Sequence, residues 1–168
     1  MYTDIKNKYL KKERKILMIE LLSNKILITG ICAWAVAQVL KMILHTITTR
    51  TLDWHRLIGD GGMPSCHSST VTATALMTGF QNGFDSPIFA IATILAVIVM
   101  HDAMGVRLET GKQAKRLNEM AELFAHLGEP SLSFDTKLKE FVGHTPMQVA
   151  AGFLLGIIVA CISNFKGW

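Results

Sequence analysis

The chain of 168 residues has few cysteines, and they form no recognisable arrangement. There are three, an odd number, and their spacing matches no pattern of metal ligands. Cys32 and Cys161 lie inside apolar stretches, where a thiol behaves as a small hydrophobic group. These features argue against a disulfide-stabilised domain, and we expect no metal centre and no cofactor.

The sequence also lacks internal repeats, low-complexity tracts and any aromatic or motif signal for nucleic-acid binding. Its net charge of +4 is modest, and many of the basic residues fall within the first 25 positions. A basic segment before an apolar stretch typically holds a helix against anionic lipid headgroups. We therefore expect membrane lipids, and not nucleic acid, among the partners of this protein.

What the sequence has instead is apolar residues in long stretches. The mean hydropathy is +0.34, which is typical of a membrane protein. A secretory signal ending at Ala35-Val36-Ala37 is an alternative explanation of the first stretch, but the apolar residues continue past that point. The four stretches that we expect to cross the membrane are 26–47, 66–80, 87–103 and 146–163.

These stretches predict an all-α fold, an integral-membrane helical bundle with about four spans in the cell membrane. We divide the chain into a basic amphipathic N-terminal segment, 1–25, and a membrane-embedded domain, 26–168. A surface helix is expected near 106–127, because its apolar residues recur every three or four positions. The pair Gly152 and Gly156 has the spacing of a helix-contact motif, through which a homodimer could form.

Spans that alternate in direction would bring polar residues from four parts of the chain to one face of the membrane. Ionisable residues at the edge of a span are costly and usually functional, so their convergence indicates a site. Lys41 and His45 lie on one face of the first span, although Lys41 could instead extend its ammonium group to the headgroups. The convergent groups are Lys41 and His45, Ser65 and His67, Asp102 and Arg107, and His144 and Gln148.

The segment Gly61–Ser69 is the strongest single motif. Its glycines allow backbone amides to approach a ligand, and its proline and serine suit the start of a helix. A helix N-terminus favours an anion such as phosphate, and His67 adds an acid–base group there.

Residues 24–163 resemble the type 2 phosphatidic acid phosphatase superfamily, and more closely its divergent branch related to acid phosphatases and vanadium-dependent haloperoxidases. Pro64-Ser65-Cys66-His67 is similar to a Pro-Ser-Gly-His motif, and the block from Gly143 to Gly152 resembles the surroundings of the nucleophilic histidine. The segment from His101 to Arg107, together with Gly111-Lys112-Gln113-Ala114 and Leu117-Asn118, is similar to a signature of the divergent branch.

The resemblance implies phosphoryl transfer through a phosphohistidine. His144 would attack phosphorus, His67 would protonate the leaving alkoxide, and Lys41, Gly62 and Ser65 would hold the phosphate oxygens. Two motif arginines are missing, and Gln148 stands where the family has a carboxylate. Because these polar residues converge on one face of the membrane, we expect Arg107 to replace one of the missing arginines and Asp102 to orient His144.

The function predicted from the sequence is hydrolysis of a lipid or prenyl phosphate monoester or diphosphate by a membrane-embedded phosphatase. The alternative is a non-catalytic membrane protein that binds phosphate headgroups for regulation or transport, which Gln148 and the missing arginines favour. A third hypothesis, a metal-dependent phosphohydrolase, rests on His101-Asp102 together with His67 and His144. Asp102 and Arg107 could also form an ion pair with a structural role only.

Overall fold

A computed structural model describes residues 2–50, 62–127, 137–140 and 142–166 of the chain. All regular secondary structure in these ranges is helical, as the apolar stretches predicted. The six helices are α1 (Tyr2–Ser23), α2 (Lys25–Thr49), α3 (Cys66–Asn82), α4 (Pro87–Met104), α5 (Val106–His126) and α6 (Pro146–Phe165). The sequence places a polar connection at 48–64 and ends the surface helix at Gly128-Glu129-Pro130; residues 51–61 of the first and all of the second lie outside the described residues.

Short polar side chains fix where the helices begin, which is why the sequence locates these ends well. Asn24 accepts a hydrogen bond from the Leu27 amide at the start of α2. Ser65 does the same for Ser68 at the start of α3. In α4, Ser86 caps the helix and Pro87 occupies its first turn.

Helix α3 lies at the centre of the bundle and packs against α2, α4 and α6. Its buried residues are mainly small or hydroxylated, which lets the neighbouring backbones approach closely. Two of the buried hydroxyls are paired across helices: Ser68 donates to the Val149 carbonyl at 2.8 Å, and Ser69 donates to the Ala33 carbonyl at 3.3 Å. These bonds join α3 to α6 and to α2 without leaving the hydroxyls unsatisfied.

The Gly152 and Gly156 stripe of α6 packs against α3 of the same chain. A Cβ atom on Gly152 would lie 2.3 Å from the Ser65 carbonyl oxygen, and one on Gly156 would lie 2.6 Å from that of Ser69. The helix-contact motif therefore works within the chain, and this face is not free for a second copy. A homodimer stays a prediction that would need another surface.

The outer faces of the bundle are apolar and exposed, as expected for a protein surrounded by lipid. Within the described residues, three helical stretches are long and apolar enough to cross a membrane: α2, α6 and Pro87–His126, whose apolar part is α4. Ile91 and Ile94 of α4 are 69% and 61% exposed, and only Ala96 and Ala103 of that helix are buried. The fourth predicted span, α3, has 17 residues and is enclosed by the others.

Helix α5 confirms the predicted element, but the face that it buries is not the apolar one. Gly111, Ala114 and Asn118 point into the protein, whereas most of the predicted apolar stripe is exposed. An exposed apolar stripe on a charged helix suits a position in the membrane interface. The basic helix α1 packs on α2, and its described side chains are exposed.

Candidate active site

His144 lies immediately before α6, and neighbouring elements hold it by its backbone. The His144 amide donates to the Ala103 carbonyl of α4 at 3.0 Å, and the Ser65 amide donates to the Gln148 carbonyl at 3.0 Å. The side chain is 1% exposed. Three helix ends, those of α3, α4 and α6, therefore meet at this histidine.

Gln148 sets the protonation pattern of the His144 ring. Its Oε1 accepts a hydrogen bond from the Thr145 amide at 3.1 Å, within the capping box that starts α6. The same oxygen lies 3.3 Å from His144 Nδ1, so Nδ1 must carry the proton for a bond to form. In the neutral ring this leaves Nε2 with its lone pair.

The Nε2 atom of His144 is buried and has no hydrogen-bond partner among the residues that the structure describes. A buried polar atom left in this way is unusual and calls for an explanation, such as a catalytic role. The His67 ring lies beside it, with the ring centroids 5.8 Å apart and the planes at 61°. Two imidazoles therefore share one small pocket at the end of the bundle.

Lys41 reaches the same pocket from α2. It is 2% exposed, so its ammonium group does not extend to the surface, and its Nζ lies 3.8 Å from the Cys66 Sγ. Gly62, at φ +103°, covers the Lys41 stem: a Cβ there would lie 3.2 Å from the Lys41 Cγ. The glycine is needed both for its backbone conformation and for this close approach.

The hydroxyl of Ser65, which the sequence predicts to bind phosphate, caps α3 in this structure. Ser65 is completely buried, and the amides at the beginning of α3 lie next to His67 and Cys66. Its contribution to an anion site through the N-terminal turn of α3 stays a prediction.

Asp102 and Arg107 pair with each other rather than with His144. Arg107 Nε donates to Asp102 Oδ2 at 2.7 Å, across the junction of α4 and α5. Their side chains are 42% and 46% exposed, so the pair lies at the rim of the pocket, next to the Ala103 carbonyl. The structure thus places Gln148, and not Asp102, at Nδ1 of His144.

The histidines near the other span ends take no part in this pocket. His45 contacts Thr49 of its own helix, and His101 is exposed. Across the described ranges, no three His, Cys, Asp or Glu side chains lie close enough to hold a metal ion. The metal-dependent hypothesis therefore has no ligand set in this part of the chain.

Helix α5 supports the segment that leads to His144, a role that the sequence did not reveal. Asn118 is 5% exposed and bonds three times: to the Leu138 amide, to the Leu138 carbonyl and to the Glu140 carboxylate. A Cβ on Gly111 would lie 2.4 Å from the Glu140 carbonyl oxygen, and one on Gly143 would lie 2.4 Å from the Leu108 backbone. Residues 137–140 and 142–143 therefore follow α5 closely up to His144.

An ion pair adds to this contact at the exposed end of α5. Lys137 donates to the Glu122 carboxylate, and this bond holds the pKa of the Glu122 carboxyl below its usual range. Both side chains are exposed, so the pair contributes little to stability. Gly111 and Asn118, two residues of the family-like signature, thus have a structural explanation: they support the segment that leads to His144.

Comparison with known proteins agrees with these observations. The sequence profile of the Divergent PAP2 family matches residues 22–159. The chain is 38% identical over 151 residues to the uncharacterized membrane protein YuiD of Bacillus subtilis (strain 168), which covers 85% of this chain and 96% of that protein. No solved structure matches. The chain is a helical membrane protein that belongs to the Divergent PAP2 family.

Proposed function

We propose that this protein is a membrane-embedded phosphatase that hydrolyses a lipid or prenyl phosphate through a phosphohistidine at His144. The observation that carries the proposal is the buried Nε2 of His144, which the Gln148 contact leaves with a lone pair. A nucleophile needs that tautomer, and it needs an acid nearby for the leaving group. The His67 ring, 5.8 Å away, meets the second requirement.

The reaction follows in two steps. His144 Nε2 attacks phosphorus, the P–O ester bond breaks, and the protonated His67 ring gives its proton to the departing alkoxide. Water then attacks the phosphorus of the phosphohistidine, His67 takes the proton from that water, the P–N bond to His144 breaks, and inorganic phosphate leaves. Lys41 and the Gly62 and Met63 amides would stabilise the negative charge on the transferring group, with Arg107 at the rim.

A lipid substrate is supported by an apolar groove between α3, α4 and α6. The groove has a volume of about 280 Å³, and its lining includes Thr72, Phe153 and Met100. Thr72 lies about one helical turn from Ser68, and Phe153 about one turn from Val149, so the groove begins just below the pocket. A substrate with its phosphate at His144 could place a hydrocarbon chain there.

The test is phosphate release by the purified full-length protein in detergent, across phosphatidic acid, phosphatidylglycerophosphate and prenyl diphosphates. We expect release that a chelator does not reduce and that His144→Ala lowers more than about 100-fold. His126→Ala, at the exposed end of α5, is the matched control and should keep full activity. Because His144 is buried, circular dichroism and gel filtration must show that the variant still folds, and His144→Gln serves as a second variant.

Binding without catalysis is the second candidate, and Gln148 is the observation that favours it. An amide cannot balance the positive charge of a phosphorylated imidazole as a carboxylate can. No release from any substrate, together with lipid phosphate binding that Lys41→Met removes, would establish binding and reject the phosphatase.

A further inference from the structure

The proposed reaction leaves the Cys66 thiol unused, although this thiol lies inside the pocket. Its Sγ is 3.8 Å from Lys41 Nζ and 3.9 Å from His67 Nδ1, and the residue is 4% exposed. The resembling motif has glycine at this position, so the thiol is an addition that the phosphoryl chemistry does not require. The groups around the Cys66 thiol indicate a role for it that is separate from phosphoryl transfer.

Those surroundings stabilise the thiolate form of Cys66. The residue is the first of α3, so the partial positive charge of the helix N-terminus acts on its sulfur. The Lys41 ammonium group adds a full positive charge at 3.8 Å. Thiols in positions of this kind react as nucleophiles, whereas thiols in apolar surroundings are inert.

The other two cysteines provide an internal comparison. Cys32 lies in the apolar part of α2 and is half-buried, and Cys161 lies near the end of α6 and is exposed on its apolar surface. If exposure alone governed reactivity towards a small reagent, Cys161 would react before Cys66. If the electrostatic surroundings govern reactivity, Cys66 reacts before Cys161.

A second observation places an unsatisfied hydrogen-bonding atom near Cys66. The His144 residue is 1% exposed, its buried Nε2 atom has no hydrogen-bond partner by geometry among the described residues, and its ring lies close to the Cys66 thiol. A small hydrogen-bonding molecule beside the thiol would meet this atom and the Lys41 ammonium group. The thiol and its polar surroundings together form a reactive site.

We propose that Cys66 is a modification site for small hydroperoxides and that its oxidation closes the phosphate pocket. The thiolate sulfur attacks one peroxide oxygen, so an S–O bond forms and the O–O bond breaks. Sulfur loses two electrons and becomes a sulfenic acid, and the other oxygen leaves as an alkoxide, or as hydroxide from hydrogen peroxide, and takes a proton to form an alcohol or water. A thiol reductant restores Cys66.

Oxidation and phosphate binding exclude each other because they use the same space and the same charge. The added oxygen would lie next to Lys41 Nζ, which is placed to hold a phosphate oxygen. The site therefore takes either a hydroperoxide at sulfur or a phosphate at Lys41. This proposal depends on the geometry of the pocket and not on phosphatase activity.

The experiment treats the full-length protein in detergent with hydrogen peroxide and traps sulfenic acid with dimedone, and peptide mass spectrometry gives the rate at each cysteine. We expect Cys66 to react at least about tenfold faster than Cys161, despite its burial. Inorganic phosphate, compared with chloride at equal ionic strength, should slow Cys66 and leave Cys161 unchanged. Equal rates at the two cysteines, or a Cys66 rate that phosphate does not alter, would overturn the proposal.

A matched pair of variants tests the electrostatic cause. Lys41→Met should slow modification of Cys66 about tenfold, whereas Lys112→Met, which removes an exposed ammonium group on α5, should not. If Lys41→Met does not fold, phosphate protection of the unaltered protein decides the question alone. Because the experiment measures peptide masses, preferential oxidation of Cys66 would be seen even in a protein that releases no phosphate. The failure of this proposal can therefore be distinguished from the failure of the proposed phosphatase activity.

Discussion

At the scale of single residues, the Gln148 amide has two tasks. It completes the capping box at the start of α6, and it accepts a hydrogen bond from His144 Nδ1. Because the Thr145 amide can only donate, the bond from it fixes Oε1 as the oxygen that faces His144. If the Gln148 amide could flip, its NH₂ group would face His144 Nδ1 and favour the tautomer with the proton on Nε2. The capping box prevents that rotation.

Replacing this amide with a carboxylate should raise the rate of phosphate release. In Gln148→Glu both hydrogen bonds remain, and the negative charge stabilises the imidazole ring when it becomes cationic on phosphorylation, so we expect an increase of about tenfold. The measurement is the initial rate of phosphate release. Gln113→Glu, which adds the same charge on the exposed side of α5, is the control, and an unchanged or lower rate for Gln148→Glu would contradict the argument.

At the scale of elements, α5 acts as a support for the segment that carries His144. Its buried face consists of Gly111, Ala114 and Asn118, which are too small or too polar to form an apolar core. What they provide instead is close approach and paired hydrogen bonds for residues 137–140, 142 and 143. The exposed apolar stripe on the opposite side leaves α5 free to contact lipid.

Removing the Asn118 side chain should loosen this segment. Asn118→Ala deletes three hydrogen bonds to Leu138 and Glu140 and leaves the Leu138 amide and carbonyl without these partners, which costs about 1–3 kcal/mol. The readout is limited proteolysis in detergent, because Lys137 and Lys139 lie in the supported segment. We expect faster tryptic cleavage at these lysines and a lower unfolding midpoint.

The control for this measurement is Gln113→Ala, an exposed change on the same helix. It should leave the cleavage rate and the midpoint unchanged. Cleavage of Asn118→Ala at the wild-type rate would mean that the segment holds its path without α5.

At the scale of the whole molecule, a polar pocket lies at one end of a bundle whose sides face lipid. The groove between α3, α4 and α6 leads away from this pocket into the apolar part of the protein. Phosphate and hydrocarbon would therefore be bound by different parts of the fold. Chain-length preference should depend on the groove and not on the pocket.

Filling the groove should change substrate preference without removing the chemistry. Val97→Trp, on the groove lining, is expected to lower the rate for long-chain lipid phosphates more than for short-chain ones, by about tenfold. Ile94→Trp, on the outer face of α4, is the matched control and should leave the ratio of the two rates unchanged. Equal losses for both chain lengths in Val97→Trp would show that the hydrocarbon chain binds elsewhere.

The sequence predicts the helices and the meeting of Lys41, His67 and His144, because apolar stretches with clear caps alternate in direction across a membrane. It does not predict the partner of Asp102, since that depends on how α5 leaves the end of α4. Gln148 carried a readable signal: Thr145 and Gln148 have the spacing of a capping box, one turn after His144. The contact of Asn118 with residues 138 and 140 joins distant parts of the chain and has no local pattern.

Because Oε1 of Gln148 contacts both the Thr145 amide and His144 Nδ1, the first turn of α6 helps to set the tautomer of the proposed nucleophile. If a detergent frays only that turn, the imidazole loses its defined tautomer while nearly all of the helix remains. A preparation could then look fully folded in the far ultraviolet and still be inert. Phosphate release would be measured in lipid nanodiscs, in a mild detergent and in a harsh detergent, at equal ellipticity. Release that is lost only in a detergent would indicate a disturbed His144 tautomer, whereas no release under any condition would indicate an inactive protein.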